Sequence, residues 1–162
     1  MHLGSTNHKI DREIQIIRVY HENPDSINVF LNLGRDYLSN LSFEKREKFL
    51  RSILARLKEP DRWLFLLMYK DKYVGFIHAK IDKDERPGWG FILELYVVPE
   101  KRGMGLGRIL YKHVEQMLRS RSVKNVWLLT TNKIVPFWRK LGFKLSKERD
   151  KETGQLIMTK SL

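Results

Sequence analysis

The apolar positions of this 162-residue chain switch between two periods, and the switches mark its elements. Residues 14–19 alternate weakly, as a first strand does. Ile27, Phe30, Leu31 and Leu38 then recur at helical spacing behind Asp25 or Ser26, either of which can cap a helix. A second helical stripe of Phe49, Leu50, Ile53, Leu54 and Leu57 opens near Ser42, with Lys45, Lys48 and Arg56 on its other face and Pro60 just past its end. Residues 63–69 and 73–81 are apolar runs around Asp71-Lys72, which predicts an antiparallel hairpin. Residues 91–98 make a further strand, ended by Pro99. Leu106, Ile109, Leu110, Val114, Met117 and Leu118 stripe a third helix. A strand at 123–130, a short helix at 136–141 stopped by Gly142, and a hairpin of 143–147 with 156–159 complete the chain. The order is βααβββαβαββ. It predicts a mixed α/β (α+β) fold, with one twisted sheet of about six to seven strands and about four helices.

Composition narrows the class. An apolar fraction of 42% in a chain of this length buries a substantial core, so one domain is expected over residues 13–162. Residues 1–12 are polar and read as a mobile tail. With no cysteine, disulfides, thiolate metal sites and cysteine nucleophiles are excluded, which fits a reducing, cytoplasmic setting. The longest apolar run, WLFLLMY, is far below the roughly 18 residues that span a bilayer, so no membrane partner is expected. His2, His8, His21, His78 and His113 lack metal-ligand spacing, and no metal site is expected. Charge is uneven. Residues 1–99 hold 16 Lys+Arg and 14 Asp+Glu, a net of +2, whereas residues 100–162 hold 15 and 5, a net of +10. The C-terminal third therefore attracts an anion, either nucleic acid or a phosphorylated cofactor.

The chemistry centres on LELYVVPEKRGMGLGRIL, residues 93–110. A strand ends at a proline, a basic residue comes next, and Gly103, Gly105 and Gly107 precede an amphipathic helix. Alternate glycines expose consecutive backbone N–H groups at the positive end of a helix dipole, an arrangement suited to a pyrophosphate. Arg102 and Arg108 add charge at the rims. A Walker loop fails because Arg108-Ile109 follows Gly107, and a G-x-G-x-x-G fingerprint fails because the third glycine is absent. The segment Arg102-Gly103-Met104-Gly105-Leu106-Gly107 instead resembles the R/Q-x-x-G-x-G/A signature of the GNAT superfamily of N-acetyltransferases. LELYVVPE and PFWRKLGFK, residues 136–144, are also similar to segments of that family, and the element order agrees over roughly residues 13–160.

The resemblance implies the GNAT fold, acetyl-coenzyme A as cosubstrate, and transfer of its acetyl group to a primary amine by direct attack on the thioester. It implies cofactor contacts from Arg102, Gly103, Met104, Gly105, Leu106, Gly107 and Arg108 to the pyrophosphate, and from the backbone of Leu95 and Val97 to the pantetheine arm. The Val97 amide would face the acetyl carbonyl as an oxyanion donor. Asn132 would be a pantetheine contact, although Thr131 stands where the family asparagine lies. Trp138 occupies the position of a family tyrosine that protonates the departing thiolate, and an indole is no usable acid near neutral pH. Trp138 is therefore read as a wall of the core or the pocket. Glu94, the only carboxylate in its strand, is the candidate base, and Tyr96 shares its strand parity. A base is needed because a lysine-type amine is neutral in only about one molecule in 2,500 at pH 7.

The acceptor is expected to be a protein or peptide amine, or a small neutral amine, arriving over the two N-terminal helices. A polyamine is disfavoured by the net charge of +12. Nucleic acid is a disfavoured partner because no recognised binding motif accompanies the basic face, and the sequence admits a homodimer. The rival reading is a non-catalytic module that binds acyl-coenzyme A or nucleic acid through the basic C-terminal third.

Overall fold

A computed structural model describes residues 13–162, and the tail expected over residues 1–12 lies outside the described residues. The elements are β1 (Ile14–Arg18), α1 (Pro24–Tyr37), α2 (Phe43–Ala55), β2 (Arg62–Tyr69), β3 (Lys72–Ile81), β4 (Gly90–Val97), a 3₁₀ turn (Pro99–Lys101), α3 (Leu106–Ser120), β5 (Asn125–Thr130), α4 (Val135–Lys140), β6 (Lys144–Arg149) and β7 (Leu156–Ser161). This is the expected order, with seven strands and four helices. Helix α1 starts earlier than Asp25 or Ser26 suggested. Asn23 is its cap, accepting the Ser26 N–H at 3.2 Å, and Pro24 takes the first helical position where its missing donor costs nothing. Ser42 caps α2 as expected, accepting the Lys45 N–H at 3.4 Å. The β2–β3 turn falls on Lys70 and Asp71, whose φ angles are 49° and 62°. Both are positive, as a turn matched to the strand twist requires.

The strands form one sheet in the order β1-β2-β3-β4-β5-β7-β6. All neighbours are antiparallel except β4 and β5. A core cluster lies on each face. Trp63, Leu110, Tyr111, Trp138 and Phe143 belong to the cluster under α3 and α4, and Phe30, Leu50, Phe76 and Tyr96 to the one under α1 and α2. On α3, the buried Glu115 gathers cations of the basic C-terminal third, pairing with Lys160, with Lys112 at 3.1 Å and with Arg119 at 3.7 Å.

Two irregularities in β4 place the site. His78 pairs with Glu94 but Ala79 pairs with Ile92, so Leu93 is the extra residue of a bulge. The bulge inverts the facing of the residues after it. Ile92 belongs to the α3-side cluster and Leu95 and Val97 pack against it, whereas Tyr96 belongs to the α1-side cluster. Glu94, opposite His78, shares the Tyr96 side. In addition, β4 pairs with β5 only over Gly90, Phe91 and Ile92. The two strands part where the bulge begins.

Candidate active site

Beyond Ile92 the edge of β4 that faced β5 has lost its partner, and the alternation of the strand decides which groups line it. Val98 donates its N–H to Val74 O at 2.8 Å, toward β3. Successive residues point opposite ways, so Leu95 and Val97 turn their N–H and C=O groups to the open edge. Arg102 donates from Nε to the Val97 carbonyl at 2.9 Å, which fixes the loop after β4 against that edge.

The same loop then exposes a run of backbone amides. Gly103 and Gly105 have φ of 79° and 80°, in the left-handed region that glycine enters without steric cost. A Cβ added at either would meet nothing within 4 Å, so the backbone borders open space. Gly105 is the N-cap of α3, and the Ile109 N–H already bonds to the Gly105 carbonyl at 3.1 Å. The amides of Leu106, Gly107 and Arg108 in the first turn have no intrahelical acceptor. They point out of the helix at its positive end. Arg102, Met104 and Arg108 are exposed around them, whereas the Leu106 side chain is buried and only its amide is available. Gly107 sits close against a neighbour. A Cβ there would lie 3.3 Å from Phe137 Cζ, so α4 approaches the helix start closely. This constellation fits a diphosphate-bearing cofactor by its donors and its charge.

On the α1 side, Glu94 is largely buried, with a side-chain exposure of 10%. Its Oε2 lies 2.5 Å from His78 Nδ1. The His78 Nε2 lies 3.1 Å from Arg62 Nη1, and Arg62 Nε donates to Glu59 Oε2 at 3.1 Å. His78 and Arg62 are buried, and sequence reasoning missed both. Histidine in an apolar strand was the available signal. Tyr37 of α1 was missed as well: burial first, then the nearby Glu94 charge, pushes its hydroxyl up to about 12. Tyr96 stacks at a tilt on Tyr37 and Phe76, with centroids 5.3 and 5.8 Å apart, and burial raises its hydroxyl too. Thr131 and Asn132 are both exposed in the turn after β5. Trp138 is 6% exposed, its ring edge-on to Tyr111, Phe137 and Phe143. The structure thus brings Glu94 and Tyr96 together on one face, and Leu95, Val97 and the glycine loop together along the open edge.

The family model for the acetyltransferase (GNAT) family matches residues 30–143. The chain belongs to the GNAT family. Among curated relatives of this GNAT protein, an uncharacterised N-acetyltransferase ycf52 of Pyropia yezoensis is 30% identical over 100 residues, covering 58% of this chain and 54% of that one. The chain therefore spans about half the length of that relative. The Porphyra purpurea ycf52 protein is 26% identical over 137 residues, covering 81% of this chain and 73% of its own. The GNAT fold is matched by the PaiA N-acetyltransferase of Thermoplasma acidophilum, solved in complex with coenzyme A, at a TM-score of 0.71 and 20% identity, covering 92% of this chain and 99% of that one. No helix among the described residues is long and apolar enough to cross a membrane.

Proposed function

We propose that this GNAT protein transfers the acetyl group of acetyl-coenzyme A to a primary amine, the amine attacking the thioester directly. The observation that carries the reading is the continuity of the unpaired β4 edge with the amide cradle at the start of α3. In this reading Gly103, Met104, Gly105, Leu106, Gly107 and Arg108 offer backbone amides to the pyrophosphate, and the Arg102 and Arg108 guanidinium groups add charge. Leu95 and Val97 hold the pantetheine arm through the strand edge, with Asn132 or Thr131 on the opposite wall. Acetyl-coenzyme A supplies the activated acyl carbon.

The chain supplies the rest. The Val97 N–H donates to the carbonyl oxygen as negative charge develops there. Glu94 accepts the proton that the amine must lose, directly or through water. Tyr96 and Tyr37 form the aromatic wall on the acceptor side. Trp138 packs behind the cleft and carries no transferable proton, so the thiolate is protonated from water or a tyrosine.

Thiol release from acetyl-coenzyme A with a panel of protein, peptide and small amines tests the reading. Glu94→Gln should lower kcat by about 10²–10⁴-fold, remove the acidic limb of the pH profile and leave coenzyme affinity unchanged. Binding without thiol release for any amine would favour a non-catalytic acyl-coenzyme A module. Wild-type kinetics in Glu94→Gln would remove Glu94 from the mechanism.

A further inference from the structure

We infer that His78 is a positioning residue for the Glu94 carboxylate, locked by Arg62 in the tautomer that donates to it. The inference rests on the assignment of Glu94 as base. It begins with Arg62, whose guanidinium can only donate hydrogen bonds. Nη1 of Arg62 lies 3.1 Å from His78 Nε2, so Nε2 must be the acceptor and carries no proton. In a neutral imidazole the proton then resides on Nδ1, and it points at Glu94 Oε2, 2.5 Å away. His78 is therefore a fixed donor to Glu94 in this arrangement.

The arrangement divides the work of the carboxylate. Oε2 is held by the imidazole, which leaves Oε1 for the acceptor amine or an intervening water. A hydrogen bond to the charged form of a carboxylate favours that form and orients it. The groups facing Glu94 are His78 from β3, with Arg62 of β2 behind it, and Tyr37 from α1. Tyr96 lies on its own strand. Arg62 is itself clamped by Glu59, so the chain Glu59–Arg62–His78–Glu94 runs across three neighbouring strands from the exposed Glu59 to the cleft.

Two measurements test the inference. Nitrogen-15 NMR of the wild-type protein should show His78 protonated at Nδ1 and unprotonated at Nε2, and the opposite tautomer would overturn it. His78→Phe should lower kcat roughly tenfold to a hundredfold, as expected for losing a hydrogen bond to a charged group, with KM for acetyl-coenzyme A unchanged. His78→Gln keeps a donor and an acceptor and should restore most of the lost kcat, which a merely structural role would not explain. Because His78 acts through Glu94, the double variant Glu94→Gln/His78→Phe should be no slower than Glu94→Gln alone. A slowed Glu94→Gln beside a wild-type His78→Phe would overturn the positioning role only, whereas wild-type kinetics in Glu94→Gln would overturn the base assignment and this inference with it. If His78→Phe does not fold, the kcat of His78→Gln and the wild-type tautomer decide the matter.

Discussion

Gly105 offers a clean way to separate the anion cradle from the fold. Its φ is 80°, and a Cβ placed there has no neighbour within 4 Å, so a substitution strains the backbone without clashing inside the protein. A side chain in the left-handed region costs about 1–2 kcal/mol. For a chain of this size each kcal/mol moves Tm by roughly 2–4 °C, so Gly105→Ala should lower the unliganded Tm by about 2–8 °C. Gly105→Asp should cost no more, since aspartate tolerates this region better and its charge suits a helix N-terminus. Acetyl-coenzyme A at 100 times its dissociation constant should stabilise the wild type by about 2.7 kcal/mol. The corresponding rise in Tm is about 5–11 °C. In Gly105→Asp the carboxylate occupies the space bordered by the amides and repels the pyrophosphate, so that rise should vanish. Gly105→Ala should keep part of it. Scanning calorimetry with and without ligand reads all of these values. A Gly105→Asp protein with the wild-type ligand shift would refute the cradle, and an unshifted wild type at millimolar ligand would refute coenzyme binding.

Other expectations are as direct. Trp138→Phe should cost about 1–2 kcal/mol of stability by loosening the Tyr111–Phe143 contacts, with kcat changed only a few-fold; Trp138→Tyr, assayed for thiol release, asks whether a hydroxyl at this position speeds turnover. Burial pushes the Glu115 carboxyl up, but Lys160 and Lys112 outweigh it and hold the carboxyl below its usual range. Its contribution to stability should therefore be complete above the ordinary value of 4.5 and be lost as pH falls through the lowered folded value. Glu115→Gln, which loses charge-assisted hydrogen bonds from Lys160 and Lys112, should cost about 1.5–3 kcal/mol at pH 7 by urea denaturation, and the difference from wild type should shrink in acid. Random-sequence oligonucleotides should bind weakly and be released by about 0.2 M salt, as measured by fluorescence anisotropy; sub-micromolar binding that survives such salt would favour the nucleic-acid reading.

Periodicity and glycine placement carried the element order and the glycine loop that opens α3, because both are written locally. The stripe from Leu106 to Leu118 and the alternation of Gly103, Gly105 and Gly107 depend on nothing distant. The missed features depend on neighbours. Asn23 outcompeted Asp25 and Ser26 as a cap because Pro24 fixed the helix start one residue later. Lys70 and Asp71 accept positive φ under the pull of two paired strands, with no glycine to announce it. His78 meets Glu94 only through the β3–β4 register, and Arg62 meets His78 only through the β2–β3 register, where it stands two positions from the residue directly opposite, Leu64. Glu94 and Tyr96 do share a face, as their parity suggested, but the bulge one residue earlier was not legible.

That bulge makes β4 a strand with a phase. Upstream of Leu93 the even-numbered Ile92 looks toward α3; downstream the even-numbered Glu94 and Tyr96 look toward α1. Removing Leu93 would leave every pair in place: Ile92 opposite Ala79 and Glu94 opposite His78 would become neighbours in a regular ladder, each keeping its face. The extra residue therefore does not aim the carboxylate. What it supplies is the bend and added twist of a bulge, at the point where β4 parts from β5. A chain one residue shorter should keep both cores and draw the two strands together. Substitutions are local events in this strand, and its length sets where the sheet opens.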